Sequence, residues 1–149
     1  PLGVQDGRIP DRAFSASSVW DRNHGASNAR LHSVRRGRRT GAWSAKRNRR
    51  GEWLQVDVGS RARITGIATQ GRQDYNQWVT RYTLKYSNDG IRFRTYIRGR
   101  RIVVSVIFRG NRDRNSLKEN LFDPPFTARY VRIYPWTWHK HISLRAEFF

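Results

Sequence analysis

The sequence predicts an all-β protein, an antiparallel sandwich or jelly roll in a single domain covering residues 1–149. Short runs of alternating apolar and polar residues recur along the chain, as in 78–87 (WVTRYTLKYS). Turn-forming residues such as Asn88-Asp89-Gly90 separate these runs at short intervals. No stretch has the apolar periodicity of an amphipathic helix.

The segment 50–71 (RGEWLQVDVGSRARITGIATQG) is the predicted centre of the sheet. Residues 53–58 and 64–68 are two β-branched, apolar runs on either side of Gly59-Ser60. We interpret them as two antiparallel strands joined by a Gly-Ser turn.

The other elements follow from the same patterns. Further strands are predicted at 13–19, 78–87, 91–97, 102–108, 128–134 and 142–149. Prolines delimit the strand at 128–134, with Asp123-Pro124-Pro125 before it and Pro135 after it. We expect a buried core that includes Trp43, Trp53, Val56, Ile64, Ile67, Trp78, Leu84, Val131, Ile133 and Trp138. Trp136 is either an exposed aromatic or a packed one.

Charge is the most unusual property of the chain. Thirty Lys and Arg against eleven Asp and Glu give a formal net charge of +19, and 26 of the basic residues are arginine. Such a field attracts nucleic acid, sulfated glycans and anionic lipids alike. Guanidinium groups bind sulfate and phosphate oxygens bidentately, which favours those ligands.

The arginine loop, residues 34–51, is the densest part of this charge. Glycines interrupt it and no helical apolar stripe is present, so a loop is predicted. It contains eight cationic side chains: Arg35, Arg36, Arg38, Arg39, Lys46, Arg47, Arg49 and Arg50. We expect most of the polyanion affinity here, and the alternative is a solvated basic face without a partner.

Catalysis and metal binding are not predicted. No Ser/His/Asp constellation or acid–base pair has a recognisable spacing, and there is no cysteine. His139 and His141 share a strand face, but only Glu147 is available as a third ligand. Asp21 and Asp74 are too few for a loop calcium site. We therefore expect no enzyme, no metal and no cofactor.

Several blocks of sequence carry a resemblance to a known family. They are PLG (1–3), IPD (9–11), SASS (15–18), ARLH (29–32), GAW (41–43), EWLQVDVG (52–59), ITGIATQG (64–71), YSNDG (86–90), GN (110–111), DPPF (123–126), ARYVRI (128–133), WH (138–139) and ISLR (142–145). Together they resemble the discoidin, or coagulation factor V/VIII C-type, domain over nearly the whole chain.

The resemblance implies an eight-stranded antiparallel jelly-roll barrel of two sheets. It also implies a secreted, non-enzymatic adhesion module that binds phosphatidylserine membranes, glycans, collagen or other proteins through loops at one barrel end. We expect a monomer without a transmembrane segment, and we interpret Pro1-Leu2-Gly3 as a trimmed start without a signal peptide. The family's usual Cys pair, which joins the termini, is missing.

Two loops correspond to those that membrane-binding members use. They are residues 20–25 and 72–77, where such members carry Leu, Phe or Met at the tips. Here Trp20 and Tyr75 stand among polar and charged residues, so we expect superficial, electrostatic binding rather than deep insertion. Trp20 is either an exposed anchor or a ring folded back on the barrel. The candidate ligand-binding residues are Trp20, Arg22, His24, Arg35, Arg36, Arg38, Arg39, Arg47, Arg49, Arg50, Arg72 and Tyr75.

The placement of the charges leaves an alternative open. Arginines occupy loop and outward positions that are commonly Ser, Thr, Asn, Gly or Lys in this family, whereas acids such as Glu52 and Asp57 lie inside shared motifs. Deliberate supercharging produces this pattern. The alternative is thus an engineered scaffold with no native ligand that binds polyanions, including nucleic acid, non-specifically.

Overall fold

The structure is a computed structural model that describes residues 1–98 and 104–149. Over these residues the chain forms strands and short 3-10 turns. The strands are β1 (Phe14–Ala16), β2 (Trp43–Ser44), β3 (Leu54–Gln70), β4 (Trp78–Ser87), β5 (Arg94–Thr95), β6 (Ile97–Arg98), β7 (Val104–Ser105), β8 (Phe108–Arg109), β9 (Lys118–His139) and β10 (Ser143–Phe148). The 3-10 turns are Asp11–Ala13, Arg22–His24 and Ala26–Ala29.

Eight of the strands form one antiparallel sheet, so the predicted all-β fold is confirmed. Its order is β2-β10-β3-β9-β4-β5, with β1 added to β3 and β8 added to β4, while β6 and β7 pair separately. The Asn88-Gly90 turn joins β4 to a return strand as predicted, with Tyr86 opposite Arg94, but the strand predicted at 91–97 is reduced to β5, and Ile97 belongs to β6. Residues 102–103 of the strand predicted at 102–108 lie outside the described residues.

The predicted antiparallel pair at 53–58 and 64–68 is wrong. Apart from Trp53, both runs belong to the single strand β3, and both pair with β9, Val56 opposite Val131 and Ile64 opposite Phe126. Gly59 adopts φ +95° at an irregularity between Asp57 and Ala62, and the Asp57 carboxylate accepts its N–H at 2.8 Å. A glycine with positive φ at a bulge bends a strand without reversing it.

The prolines do not delimit β9 as predicted. The strand runs from Lys118 to His139 because Pro124 and Pro125 fall in a bulge: pairing with β3 passes from Phe126 directly to Leu121. Residues in a bulge need not donate to the ladder, so proline is tolerated there. Pro135 lies opposite Tyr82, beside a second irregularity in the pairing with β4.

The core confirms most of the predicted buried residues. Trp43, Val56, Ile64, Ile67, Leu84, Val131 and Ile133 are buried. Trp53 and Trp78 are only half-buried, so their prediction as core residues is wrong, whereas Trp138 is partly buried and packs against the core as predicted. Trp53 lies on the outer face, where the Arg132 guanidinium stacks on it at 3.9 Å from the ring centre.

The two chain termini are tied together by hydrogen bonds. The Leu2 amide donates to the Phe148 carbonyl at 2.8 Å. The buried Glu147 carboxylate accepts the Val4 and Gln5 amides at 3.0 and 3.1 Å. These contacts lie at the end of β10 farthest from the loops described next.

Candidate functional site

Loops 20–25 and 72–77 meet around one pocket. Trp20 and Tyr75 are each 55% exposed on its rim, and Trp20 is therefore not folded back on the barrel. The pocket has a volume of about 230 Å³. Its other lining residues are His24, Ser44, Arg72, Gln77 and His141. Four of the predicted site residues (Trp20, His24, Arg72 and Tyr75) thus come together, and we call this the loop pocket.

Loop 20–25 is held by short local contacts. The Asp21 carboxylate accepts the Asn23 amide at 2.8 Å and lies 2.6 Å from His24 Nδ1. The hydrogen bond from His24 lowers the pKa of Asp21. The Trp20 ring meets the edge of His141, which contacts the Ala45 carbonyl through Nε2 at 2.7 Å. The exposed indole therefore contacts the sheet through His141.

Arg72 is the cation of loop 72–77 and lines the loop pocket. Its Nε donates to Asp74 at 2.9 Å, one of its terminal nitrogens donates to Gln77 at 3.1 Å, and its guanidinium lies 5.2 Å from the Tyr75 ring centre. Burial works against ionisation of Asp74, but hydrogen bonds from Arg72 and from the Gly41 amide prevail and lower its pKa. Arg72 is therefore held in a single position at the pocket.

The arginine loop divides into two groups. Residues 40–45 are buried and separate an exposed turn at 35–39 from an exposed segment at 46–50. The turn lies beside loop 72–77, since the Arg35 amide donates to the Gln73 side chain at 2.8 Å and the Gln73 amide donates to the Gly41 carbonyl at 3.1 Å. A Cβ on Gly41 would lie 2.6 Å from the Gln73 Cβ, so only glycine allows this approach.

The second group of arginines has different partners. Arg49 pairs with the buried Glu52 at 2.9 Å, and Arg50 stacks on Trp136 with its guanidinium 3.7 Å from the ring centre. Arg47 is exposed, as is Arg22 on the first loop. The predicted site residues therefore do not form one cluster. Arg35, Arg36, Arg38 and Arg39 form a turn next to the loop pocket, and Arg49 and Arg50 belong to the flank of the sheet.

Arg145 supports the site although the sequence analysis did not single it out. It is 2% exposed, and no carboxylate pairs with it among the ion pairs of the described residues. Its guanidinium donates to the carbonyls of Gly71, Ser33 and Arg114 and to the Asn115 side chain at 2.7–2.8 Å. Burial lowers its pKa to about 10. One side chain thus joins three loops, including the start of loop 72–77.

The histidines singled out in the sequence have structural contacts. His139 stacks on Trp78 with ring centres 4.3 Å apart, and His141 is held against Ala45 and Trp20. Over residues 1–98 and 104–149, no group of three or more His, Cys, Asp or Glu side chains is placed to hold a metal ion. In the same residues no helix has the length and apolarity needed to cross a membrane.

Comparisons with known proteins agree on one family. A model of the F5/8 type C domain matches residues 13–148. Lactadherin from Sus scrofa is 43% identical over 156 residues, which cover 99% of this chain and 37% of lactadherin. Coagulation factor V from Mus musculus is 39% identical over 155 residues, covering the whole chain and 7% of factor V. The chain therefore spans about a third or less of these relatives.

Solved structures share the fold. Wild-type discoidin II from Dictyostelium discoideum superposes with a TM-score of 0.81 at 31% identity, over 91% of this chain and 52% of that one. The family 32 carbohydrate-binding module of C. perfringens NanJ, in complex with galactose, superposes with a TM-score of 0.63 at 21% identity, over 93% and 91%. The second likeness concerns the fold alone.

Proposed function

Because the chain belongs to the F5/8 type C domain family, we propose that it is a non-catalytic binding module that docks on anionic phospholipid surfaces through its loop pocket. The observation that carries the proposal is the position of Trp20 and Tyr75, two exposed aromatics on the rim of a pocket that contains Arg72. The proposal includes an extracellular location and action as a monomer.

The chemistry of the loop pocket suits an anionic headgroup. His24 and Gln77 offer nitrogen donors to phosphate or carboxylate oxygens, and Arg72 keeps further N–H groups beyond those bound to Asp74 and Gln77. Trp and Tyr favour the boundary between headgroups and acyl chains because each combines an apolar ring with a polar N–H or O–H. Two aromatics beside a headgroup pocket therefore fit a surface that is both anionic and partly apolar.

The exposed turn of the arginine loop adds electrostatic attraction next to the pocket. Each Arg near an anionic membrane contributes on the order of 1 kcal/mol, and this attraction decays within a Debye length of about 10 Å at 0.1 M salt. Four arginines (Arg35, Arg36, Arg38 and Arg39) lie in this turn. Most of the binding free energy is thus electrostatic, and the two aromatics contribute the smaller part.

Co-sedimentation with vesicles tests the proposal. We expect binding to vesicles that contain phosphatidylserine, weak binding to pure phosphatidylcholine, and release at about 1 M salt, where the Debye length is about 3 Å. Replacing Arg35, Arg36, Arg38 and Arg39 with Ser should weaken binding strongly. Retention in high salt that disappears on Trp20→Ala would contradict superficial binding and indicate insertion.

A control variant of equal charge distinguishes binding at a defined site from attraction by the net positive charge of the whole protein. Four arginines distant in the sequence (Arg81, Arg92, Arg94 and Arg98) are replaced with Ser, which removes the same charge. Under the proposal this variant loses much less vesicle affinity than the loop variant. Equal losses would contradict a defined site and favour the alternative of an engineered, supercharged scaffold.

A further inference from the structure

One outer face of the sheet lies outside the loop pocket. Along β9, Val131, Ile133 and Pro135 are buried, whereas the alternate positions 130, 132 and 134 are half-buried and face outward, and Trp136 is half-buried at the pairing irregularity beyond Pro135. Arg132 lies between Gln55 on β3 and Lys85 on β4 in the pairing register. Trp53 and Phe93 complete this surface, since both rings contact Arg132.

Cations and aromatic rings are stacked on one another across this face. Arg132 is sandwiched between Trp53 and Phe93, 3.9 Å from each ring centre, and its Nε donates to Gln55 at 2.8 Å. Arg50 lies 3.7 Å from the Trp136 ring centre, and its Nε donates to the Trp136 carbonyl at 3.0 Å. Lys85 Nζ is 5.0 Å from the Tyr134 ring centre. We call the three cations and their rings the stacked face.

The positive charge of the stacked face is not compensated by acids. None of Arg50, Lys85 and Arg132 takes part in an ion pair within the described part of the chain. The acids of the adjoining segment are already paired, Glu52 with Arg49 and Asp57 with Arg129. Three cations therefore remain available to an external anion.

We propose that the stacked face binds a linear sulfated glycan along β9, separately from the loop pocket. Residues two apart on a strand are separated by about 6.8 Å, so positions 132 to 136 span about 14 Å of strand. Arg132 and the rings that Lys85 and Arg50 contact, Tyr134 and Trp136, follow one another along β9, so the three cations are spread along the strand as an extended chain of sulfate groups requires. The rings fix the two guanidinium groups in advance, which reduces the side-chain entropy lost on binding.

The stacking also favours a glycan over a single-stranded nucleic acid. Nucleic acids bind such sheet faces by stacking bases on open aromatic rings. Here guanidinium groups or an ammonium group already lie against Trp53, Phe93, Trp136 and Tyr134. The donors that remain on this surface include N–H groups at the edges of the guanidinium planes and the Lys85 ammonium group, and both suit sulfate oxygens.

Calorimetric titration with a short heparin oligosaccharide tests the proposal. The variant with Arg50→Gln, Lys85→Gln and Arg132→Gln should bind about tenfold more weakly than a control of equal charge. The control has Arg61→Gln, Arg63→Gln and Arg112→Gln, three exposed arginines with no aromatic partner among the described cation–π pairs. Equal affinities of the two variants would overturn the proposal.

A charge-neutral variant distinguishes a prearranged face from net charge. Trp136→Leu keeps all cations but removes the ring under Arg50, and it should weaken heparin binding about threefold. Unchanged affinity would overturn the role of stacking. If the triple variant does not fold, Arg50→Gln alone carries the comparison, because Arg50 is exposed.

Two further measurements separate this proposal from neighbouring ones. The triple variant should bind phosphatidylserine vesicles as well as its control does. A negative result for the glycan site therefore leaves the loop-pocket proposal intact, and a negative result for the loop pocket leaves the glycan site intact. Single-stranded DNA should bind the triple variant and the control with similar affinity. A selective loss of DNA binding as large as the loss of heparin binding would overturn the assignment to a sulfated glycan.

Discussion

Removing the buried guanidinium of Arg145 should destabilise the protein substantially. In Arg145→Met, four acceptors lose their donor: the carbonyls of Gly71, Ser33 and Arg114 and the Asn115 side chain. Hydrogen bonds to charged groups contribute roughly 1.5–3 kcal/mol each, so the gross loss is roughly 6–12 kcal/mol.

Part of this loss is offset because the methionine variant no longer buries a charged group. The low pKa of Arg145, about 10, reflects burial of its charge, which corresponds to a cost on the order of 3 kcal/mol that methionine avoids. The hydrogen bonds exceed this cost, so we expect a net loss of about 3 kcal/mol or more. Folded domains have free energies of unfolding of only about 5–15 kcal/mol, so the effect is large.

Urea unfolding at neutral pH measures this prediction. Arg63→Met, a change of the same type at an exposed position, is the control and should shift the free energy of unfolding by about 0.5 kcal/mol or less. Arg145→Lys should also be destabilised, because an ammonium group is compact and cannot reproduce the planar fork. An Arg145→Met protein within about 1 kcal/mol of the parent would refute the argument that these hydrogen bonds outweigh the desolvation cost.

Two other predictions concern stability. Trp43→Ala empties a fully buried site and should lower the free energy of unfolding by roughly 3–5 kcal/mol. Trp53→Ala should lower it clearly less, because Trp53 is only half-buried. Equal losses in urea unfolding would contradict the assignment of Trp53 to the outer face. Asp89 accepts hydrogen bonds from the amides of Arg92 and Ile91 and from the Ser87 hydroxyl, and these lower its pKa to about 2, below the unfolded value of about 3.9. The carboxylate therefore stabilises the fold fully above about pH 4, and this stabilisation is lost as the pH falls through about 2. Thermal melts between about pH 5 and pH 2 should therefore show a shallower decline for Asp89→Asn than for the parent, and identical slopes would contradict a stabilising carboxylate in this turn.

Local patterns predict the antiparallel fold well because each strand needs an apolar face toward the core. Alternation along 78–87 and 128–134 identifies Leu84, Val131 and Ile133 as buried, and the structure agrees. The same patterns do not tell a bend from a turn. A Gly between two apolar runs is compatible with both, and only the pairing of both halves of β3 with β9 decides for the bend.

The candidate site could be predicted only in part. The aromatics of the two loops were identified, since a large ring in a polar loop is unusual. Arg145 was not, because the alternation in β10 is also the pattern of a strand with one exposed face. All six residues of β10 are buried, since loops that are distant in sequence cover its second face. Stacking of Arg132 between two rings likewise depends on neighbours from different strands.

The joining of the two termini has a consequence for how the domain is connected to other sequence. β10 begins at Ser143, whose hydroxyl bonds Gln77 of the pocket, and it ends at Phe148, about 17 Å farther along the strand. Leu2 is bonded to Phe148, so both ends of the chain leave from neighbouring points on the side away from Trp20 and Tyr75. A domain with adjacent ends can be inserted into a surface loop of a host protein or repeated in tandem with little strain. In either arrangement the connecting segments would leave the loop pocket open.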